Sequence, residues 1–512
     1  MAFEPNYEKL VTSYRKTLTT AQAQVDVKLS TVDASEIKTI LCSSAKSHIT
    51  KAEVNGNVVN YNGLVNFQVI YESVTGEIYG LDYTAEFMDK YTDESGANIF
   101  MPIVMSEVVD VDVNVVNSTT ISATAIVENR IDAIINENVS VLTSVAGENV
   151  FTNMETNTYY NFLGVLNEKY DLTNDIEIND GVSKVLSITP SISLESVTPF
   201  TDYVKVVGNV FVDICYLTQE EQPKPRSYTT TLDFNMEVAL NGIVDTTNVQ
   251  SDIFINTSDI KVTSTLDLNK AIINLVLPIT YNGYAFNSVV VDNVADLYST
   301  TNELNITTNS VNSLTPSATL TAMEKIDGSV MVNDSFVDEI LGNCCNYVTV
   351  TSSFIDDDCV VVEGVANTTV IYYSKEDDVK NSIIVEMPFS VRVKGENLDE
   401  NFMTTVNAVV SDMSTKSKRG QEIEVFAKLY LYVDVYGTST NAVISEVSVG
   451  EEIAPNNCAL KIYIVKDNET LWDVAKELGT SVDEIMAQNP NLELPLKAGD
   501  RVYIYYQKVM EF

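Results

Sequence analysis

One histidine and one tryptophan occur in 512 residues, and Lys plus Arg number 31 against 72 Asp plus Glu. Each scarcity excludes something. Ser–His–Asp and Cys–His catalysis need an imidazole oriented by a second group. His48 alone leaves little room for either, and it reads as a surface or half-buried structural side chain. A net charge of −41 repels phosphate backbones and anionic lipid. That argues against nucleic acid as a partner and favours cationic protein surfaces. No GxxxxGK[ST] loop occurs and no GxGxxG joins a strand to a helix, so no nucleotide site is expected. Cys42, Cys215, Cys344, Cys345, Cys359 and Cys458 show no CxxC spacing. Reduced, partly buried thiols are expected, with a cross-link through Cys344 or Cys345 as the alternative. Cys344 and Cys345 with Cys359 make a poor zinc set, because adjacent cysteines rarely ligate one ion. Asp356, Asp357 and Asp358 lack the Gly and bidentate Glu of a calcium loop. No catalytic residue, cofactor or metal is therefore expected, and nothing singles out a carboxylate pair for glycoside hydrolysis. No stretch approaches the roughly 18 uncharged apolar residues of a transmembrane helix. The first residues lack the basic and apolar regions of a secretory signal. The chain is expected to be made and kept in the cytosol, with no transmembrane insertion.

What is present is strand-forming sequence, dominated by Val, Ile, Thr and Tyr. Three segments align on one glycine and one tyrosine. They are Val59, Tyr61, Gly63, Val65, Phe67, Val69, Tyr71; Val204, Val206, Gly208, Val210, Val212, Ile214, Tyr216; and Val360, Val362, Gly364, Ala366, Thr368, Val370, Tyr372. Every member stands two residues from the next, the period of a strand. The central glycine is read as a bulge or a bend. Upstream, Ile40-Leu41, Val185-Leu186 and Ile340-Leu341 keep nearly constant offsets, with a one-residue slip in the third copy. Downstream, a second alternating stretch ends at Phe87, Phe234 and Phe389. Acidic or Pro-containing hairpin tips separate the two. The fold class is mainly β: three repeated antiparallel, sandwich-like units over 30–150, 151–315 and 316–452, followed by a small module. Tyr7, Leu10, Tyr14, Leu18 and Ala21 recur at three- and four-residue spacing and predict a helical segment within 1–29.

From Lys461 the period changes. Ile462 to Val465 read as a strand. Thr470 caps a helix carrying Leu471, Val474, Ala475 and Leu478, and Gly479 ends it. Ser481, with Glu484 three residues on, caps a second helix, closed before Pro490. Arg501 to Tyr505 form the last strand. The motifs Ile464-Val465, Thr470-Leu471-Trp472, Val474-Ala475, Gly479, Asn489-Pro490-Asn491 and Gly499 resemble a LysM module, placed over 458–508. LysM modules usually bind N-acetylglucosamine polymers in a shallow groove between two loops. The resemblance puts that groove at Asp467, Asn468, Glu469, Thr470, Leu471 and Trp472, and at Pro490, Asn491 and Leu492 through Leu494. Asn468-Glu469 departs from the family's Gly-Asp. Trp472 is read as a sugar platform or a packed helix residue. The module's six Lys/Arg and eight Asp/Glu leave −39 of the −41 on the rest of the chain.

Three β units with a Val–Gly–Tyr core and one C-terminal LysM resemble the clostridial SPOCS–LysM spore-coat morphogenetic proteins, SPOCS being the sporulation coat repeat. The resemblance implies a scaffold made in the mother-cell cytoplasm and placed at the forespore surface, then in the spore coat. It implies binding of the coat basement-layer ATPase SpoIVA through the LysM module and recruitment of other coat proteins. The alternatives are a surface protein that binds peptidoglycan glycan and a hydrolase targeted by its LysM.

Overall fold

Strands with one apolar face must find a second sheet to cover it, and each third of the chain supplies both. The computed structural model describes residues 3–505 except 97, 180, 268–269, 334–335, 376–377 and 455–457. The first third runs through β1 (Glu4–Ser30), β2 (Ile37–Asn55), β3 (Val58–Ser73), β4 (Ile78–Thr92), β5 (Ile99–Asn117) and β6 (Thr120–Ala146). It forms the antiparallel sheets β1–β6–β5 and β2–β3–β4. The second third contains β7 (Val150–Ile178), β8 (Val182–Phe200), β9 (Tyr203–Thr218), β10 (Pro225–Ala239), β11 (Asn248–Ile255), β12 (Lys261–Asp267) and β13 (Lys270–Ser299). One sheet is β8–β9–β10. In the other, β7 lies on one edge of β13, and β11 then β12 share the opposite edge, divided by a 3-10 turn at Thr257–Asp259. The third contains β14 (Asn302–Met331), β15 (Glu339–Asp356), β16 (Cys359–Ser374), β17 (Val379–Lys394), β18 (Met403–Lys418) and β19 (Glu422–Glu452). Its sheets are β14–β19–β18 and β15–β16–β17. Within each unit the middle strands face each other: Val59, Val65 and Phe67 against Ile121, Ala123 and Val127; Val204, Val206 and Val210 against Ile273, Leu275 and Leu277; Val360, Val362 and Val370 against Ile423, Val425 and Leu429.

The three aligned glycines occupy one environment. Gly63, Gly208 and Gly364 pair with Phe87, Phe234 and Phe389 of the following strand. On the other side each stands at a bulge of the preceding strand, after Ile49, Leu194 and Val350. The glycine is therefore not itself the bulge: its strand runs straight through, and the missing side chain leaves a seat for the phenyl ring. The aligned tyrosines are buried, at 0%, 3% and 5% exposure. Tyr71 Oη accepts the Val32 N–H at 3.0 Å and lies 2.7 Å from Ser35 Oγ, tying β3 to the turn after β1.

Two further expectations change. Residues 5–25 are strand, not helix. Tyr14 and Leu18 pack on the first unit's core, whereas Leu10 and Tyr7 pack on clusters shared with the other units. A register shift between Thr17 and Thr19 leaves Leu18 unpaired with β6. One strand serving two environments, with its phase reset at the bulge, imitates helical spacing. The second change is the limit at 315–316, which falls inside β14. That strand pairs with β19 from Asn302 onward, and its Asn-, Thr- and Ser-rich start carries apolar alternation only at Leu304 and Ile306.

The long strands project beyond their sandwiches as two-stranded arms: Glu4–Ser13 with 136–146, Val150–Asn161 with 287–299, and Asn302–Thr315 with 437–452. No arm can cover itself, and the three pack together. Val141, Tyr159, Val291, Val311 and Val443 form one shared cluster, and Leu142, Val294 and Ile444 belong to another. Ser13 and Ser313, both fully buried, accept the backbone N–H groups of Phe162 and Tyr160 at 2.9 and 2.7 Å. Below the arms, Asp132 accepts from Arg15 at 2.8 Å and Arg130 at 3.1 Å. Arg15 also donates to Gln250 of the second unit at 3.0 Å, and Arg130 to Tyr436 of the third at 3.1 Å.

Candidate functional site

The last segment builds a separate module. β20 (Leu460–Ile464) and β21 (Arg501–Tyr505) pair antiparallel, with α1 (Leu471–Leu478) and α2 (Val482–Gln488) between them. Thr470 and Asp473 form a reciprocal capping box: Oγ1 accepts the Asp473 N–H at 3.3 Å, and the Asp473 carboxylate accepts the Thr470 N–H at 2.8 Å. Gly479 ends α1 at φ 62°. Ser481 Oγ accepts the Glu484 N–H at 3.0 Å. Asn489 then ties α2 to β21, because its side chain accepts from the Tyr503 N–H and donates to the Tyr503 carbonyl, both at 2.8 Å. Val465, Val474, Ala475, Leu478, Ile485, Val502 and Ile504 form the core. Residues 506–508, assigned to the module from sequence, lie outside the described residues.

The residues that the LysM resemblance assigns to a groove are not placed alike. Asp467 and Asn468 make an exposed turn with Asn468 at φ 60°, a conformation Asn tolerates better than most residues. Thr470, Pro490 and Asn491 are exposed, while Leu471 and Leu492 are half-buried against the module's core. Glu469 closes its own turn: its carboxylate accepts from the Lys466 N–H and the Tyr463 hydroxyl, both at 2.7 Å. The backbone bond from Lys466 leads the effects that lower its pKa.

Trp472 belongs to neither loop in use. It faces the arm of the second unit, where Nε1 donates to Asp296 at 2.8 Å and the indole meets Tyr298 edge-on at 5.0 Å between centroids. Lys476 donates to the same Asp296 carboxylate at 2.7 Å, and Tyr298 donates to the Thr480 carbonyl at 2.6 Å. Phe151 stacks behind Tyr298. Asp296 and Tyr298 were not legible as functional residues: they stand in an arm far upstream and carry no motif. Their only signal is a lone Trp at the start of α1 that requires a partner for its N–H.

The strand period gives the module's sheet two faces. Tyr463, Val502 and Ile504 point to the helices. Leu460, Ile462, Ile464 and Tyr505 face outward, at 43%, 53%, 60% and 57% exposure.

Elsewhere, His48 lies in β2, 8% exposed and stacked on Phe254 at 5.0 Å, and burial lowers its pKa. It stands at a seam between the units, beside cavities of about 360 and 710 Å³. Among the described residues no helix is long and apolar enough to cross a membrane.

Residues 36–126 match the family model for the SipL SPOCS domain, a span that includes Gly63, Tyr71 and Phe87. Residues 463–504 match the LysM domain. No curated protein and no solved structure matches the chain.

Proposed function

On the premise that the chain is a SPOCS–LysM protein of the SipL type, we propose that it is a non-enzymatic scaffold of spore-coat assembly. It acts at the forespore surface from the mother-cell side and then resides in the coat. Its LysM module holds the basement-layer ATPase SpoIVA, and its three β units gather other coat proteins. The second and third units are SPOCS repeats like the first, a reading supported by the common seat of Gly63, Gly208 and Gly364 against Phe87, Phe234 and Phe389.

The observation that carries the LysM role is the outward apolar row Leu460, Ile462, Ile464 and Tyr505. A contiguous apolar face on a small polar module marks a protein contact, and a hydrophilic glycan gains little from it. The loops Asp467 to Leu471 and Pro490 to Leu492 add exposed side chains at Asp467, Asn468, Thr470, Pro490 and Asn491, while Trp472 is already committed to Asp296. Immobilised full-length chain should capture SpoIVA, and a chain ending at Glu452 should not. Equal capture by both would remove the LysM from the contact.

A second reading rests on the exposure of Asp467, Asn468, Thr470, Pro490 and Asn491, which leaves the groove loops open to a glycan strand. It requires the full chain to sediment with purified peptidoglycan and the Glu452-terminated chain to stay in the supernatant.

A further inference from the structure

Leu41, Leu186 and Leu341 occupy one place in the three units, each the extra residue of a bulge in β2, β8 or β15. They meet in a single buried cluster with Ile70, Cys215 and Ile371, which precede Tyr71, Tyr216 and Tyr372. The units thus touch here through equivalent residues. Three departures from that equivalence all bring in sulfur: Cys215 stands where the other units have Ile70 and Ile371. Cys42 follows Leu41 where the other units have Ser187 and Gly342. And β15 carries an additional bulge between Cys344 and Tyr347 that β2 and β8 lack. This bulge accounts for the one-residue slip of the third copy.

The bulge is shaped at Cys345, whose φ is 56°, a left-handed conformation that non-glycine residues seldom adopt. Neighbouring residues of a strand ordinarily point to opposite faces. Here both Cys344 and Cys345 are buried in the same cluster. The Sγ atoms of Cys42, Cys344 and Cys345 all lie within 4.8 Å of one another, and those of Cys42 and Cys345 are 2.8 Å apart. None of the three is in a disulfide.

We propose that Cys42, Cys344 and Cys345 hold one thiophilic d10 cation, Zn²⁺ or Cu⁺, which clamps the third unit to the first. An all-sulfur set selects such ions over hard cations. A Cys42–Cys345 disulfide would use two of the sulfurs and leave out Cys344, whose thiol would keep only a long bond of 3.7 Å to the Thr369 carbonyl. Zinc ordinarily takes a fourth ligand; Cys215 of the second unit lies in the same cluster but outside the group of mutually close sulfurs, so it must move inward to serve as one. With metal–sulfur bonds of about 2.3 Å, Cys42 and Cys345 must separate by about 1 Å on binding. Hydrogen bonds with Cys344 and Cys42 already favour the thiolate at Cys345, whereas burial pushes the Cys42 and Cys344 thiols up. A bound cation displaces those remaining protons. Adjacent cysteines rarely ligate one ion because strand neighbours point to opposite faces; the left-handed turn at Cys345 removes that objection here, while Cys359 lies outside the cluster and Cys42 is too distant in sequence to be grouped with Cys344 by spacing.

The test is elemental analysis of full-length chain purified without chelator from zinc- and from copper-supplemented cultures. It is paired with a thiol count on the denatured, chelated, unreduced chain. About one equivalent of zinc or copper is expected, with all six thiols titrating. Cys345→Ser should lose the metal and Cys359→Ser should keep it. Metal-free wild-type chain from both cultures overturns the proposal. So does a count two thiols short, which means a disulfide instead. Should Cys345→Ser fail to fold, the wild-type metal and thiol counts decide by themselves.

Discussion

At Gly364 an added methyl group would meet the Thr349 carbonyl at 2.4 Å and the Phe389 ring at 2.6 Å; at Gly208 the Ser193 carbonyl and the Phe234 ring stand at 2.3 and 2.7 Å. A ring can turn aside, but a ladder carbonyl moves only with its strand. Gly364→Ala should therefore lower the stability of the full chain by about 1–3 kcal/mol, the usual cost of overpacking, read from its denaturant midpoint. Combined with Phe389→Leu, the two losses should fall short of their sum, because the smaller side chain vacates part of the contested space. Strict additivity would mean that ring and glycine are uncoupled. Alternation identified these glycines as special. It could not say whether they bend their own strand or admit a neighbour's ring, because that depends on which residue lies opposite.

At the scale of elements, the arms and the LysM module share one difficulty: neither arm strands nor module can bury all their apolar surface alone. The arms solve it by packing on one another, and the module rests on Phe151, Tyr298 and Asp296. Trp472 is the single tryptophan, so its fluorescence reports that contact directly. Tyr298→Ala should shift its emission to the red and increase quenching by iodide, with far-UV circular dichroism unchanged. Emission identical to wild type would place the indole away from the arm. The β1 reversal has the same origin. Tyr7, Leu10, Tyr14 and Leu18 are apolar for the sake of three different clusters, and only the arrangement of the other units makes that spacing sensible for a strand.

In the whole molecule, buried ionisable groups sit where the units join, and stability should follow pH accordingly. Burial opposes ionisation of Asp132, but the Arg15 and Arg130 charges outweigh it and hold its carboxyl below the ordinary range. Its contribution is complete above the ordinary carboxylate pKa and is lost as pH falls through the lowered one. Asp434 behaves in the opposite sense. Burial raises it to about 6, against hydrogen bonds from the Ser251 N–H and the Thr319 hydroxyl. Between about 4 and 6 the folded chain keeps this proton and the unfolded chain does not, so its contribution is complete below that window and is lost as pH rises through it. The melting temperature should be higher near pH 5 than near pH 8, with Asp434→Asn narrowing the difference. An unchanged difference in the variant would assign the effect to other carboxylates.

The sequence by itself determined the strand period, the threefold recurrence of Val, Gly, Tyr and Phe, and the caps of the two C-terminal helices. These are local or periodic consequences of side-chain shape and backbone hydrogen bonding. Only the tertiary structure decided that β1 is a strand, that Trp472 answers to Asp296, and that Cys42 stands beside Cys345. Each of those outcomes depends on a partner a hundred or more residues away, and no spacing along the chain encodes which distant surface will arrive.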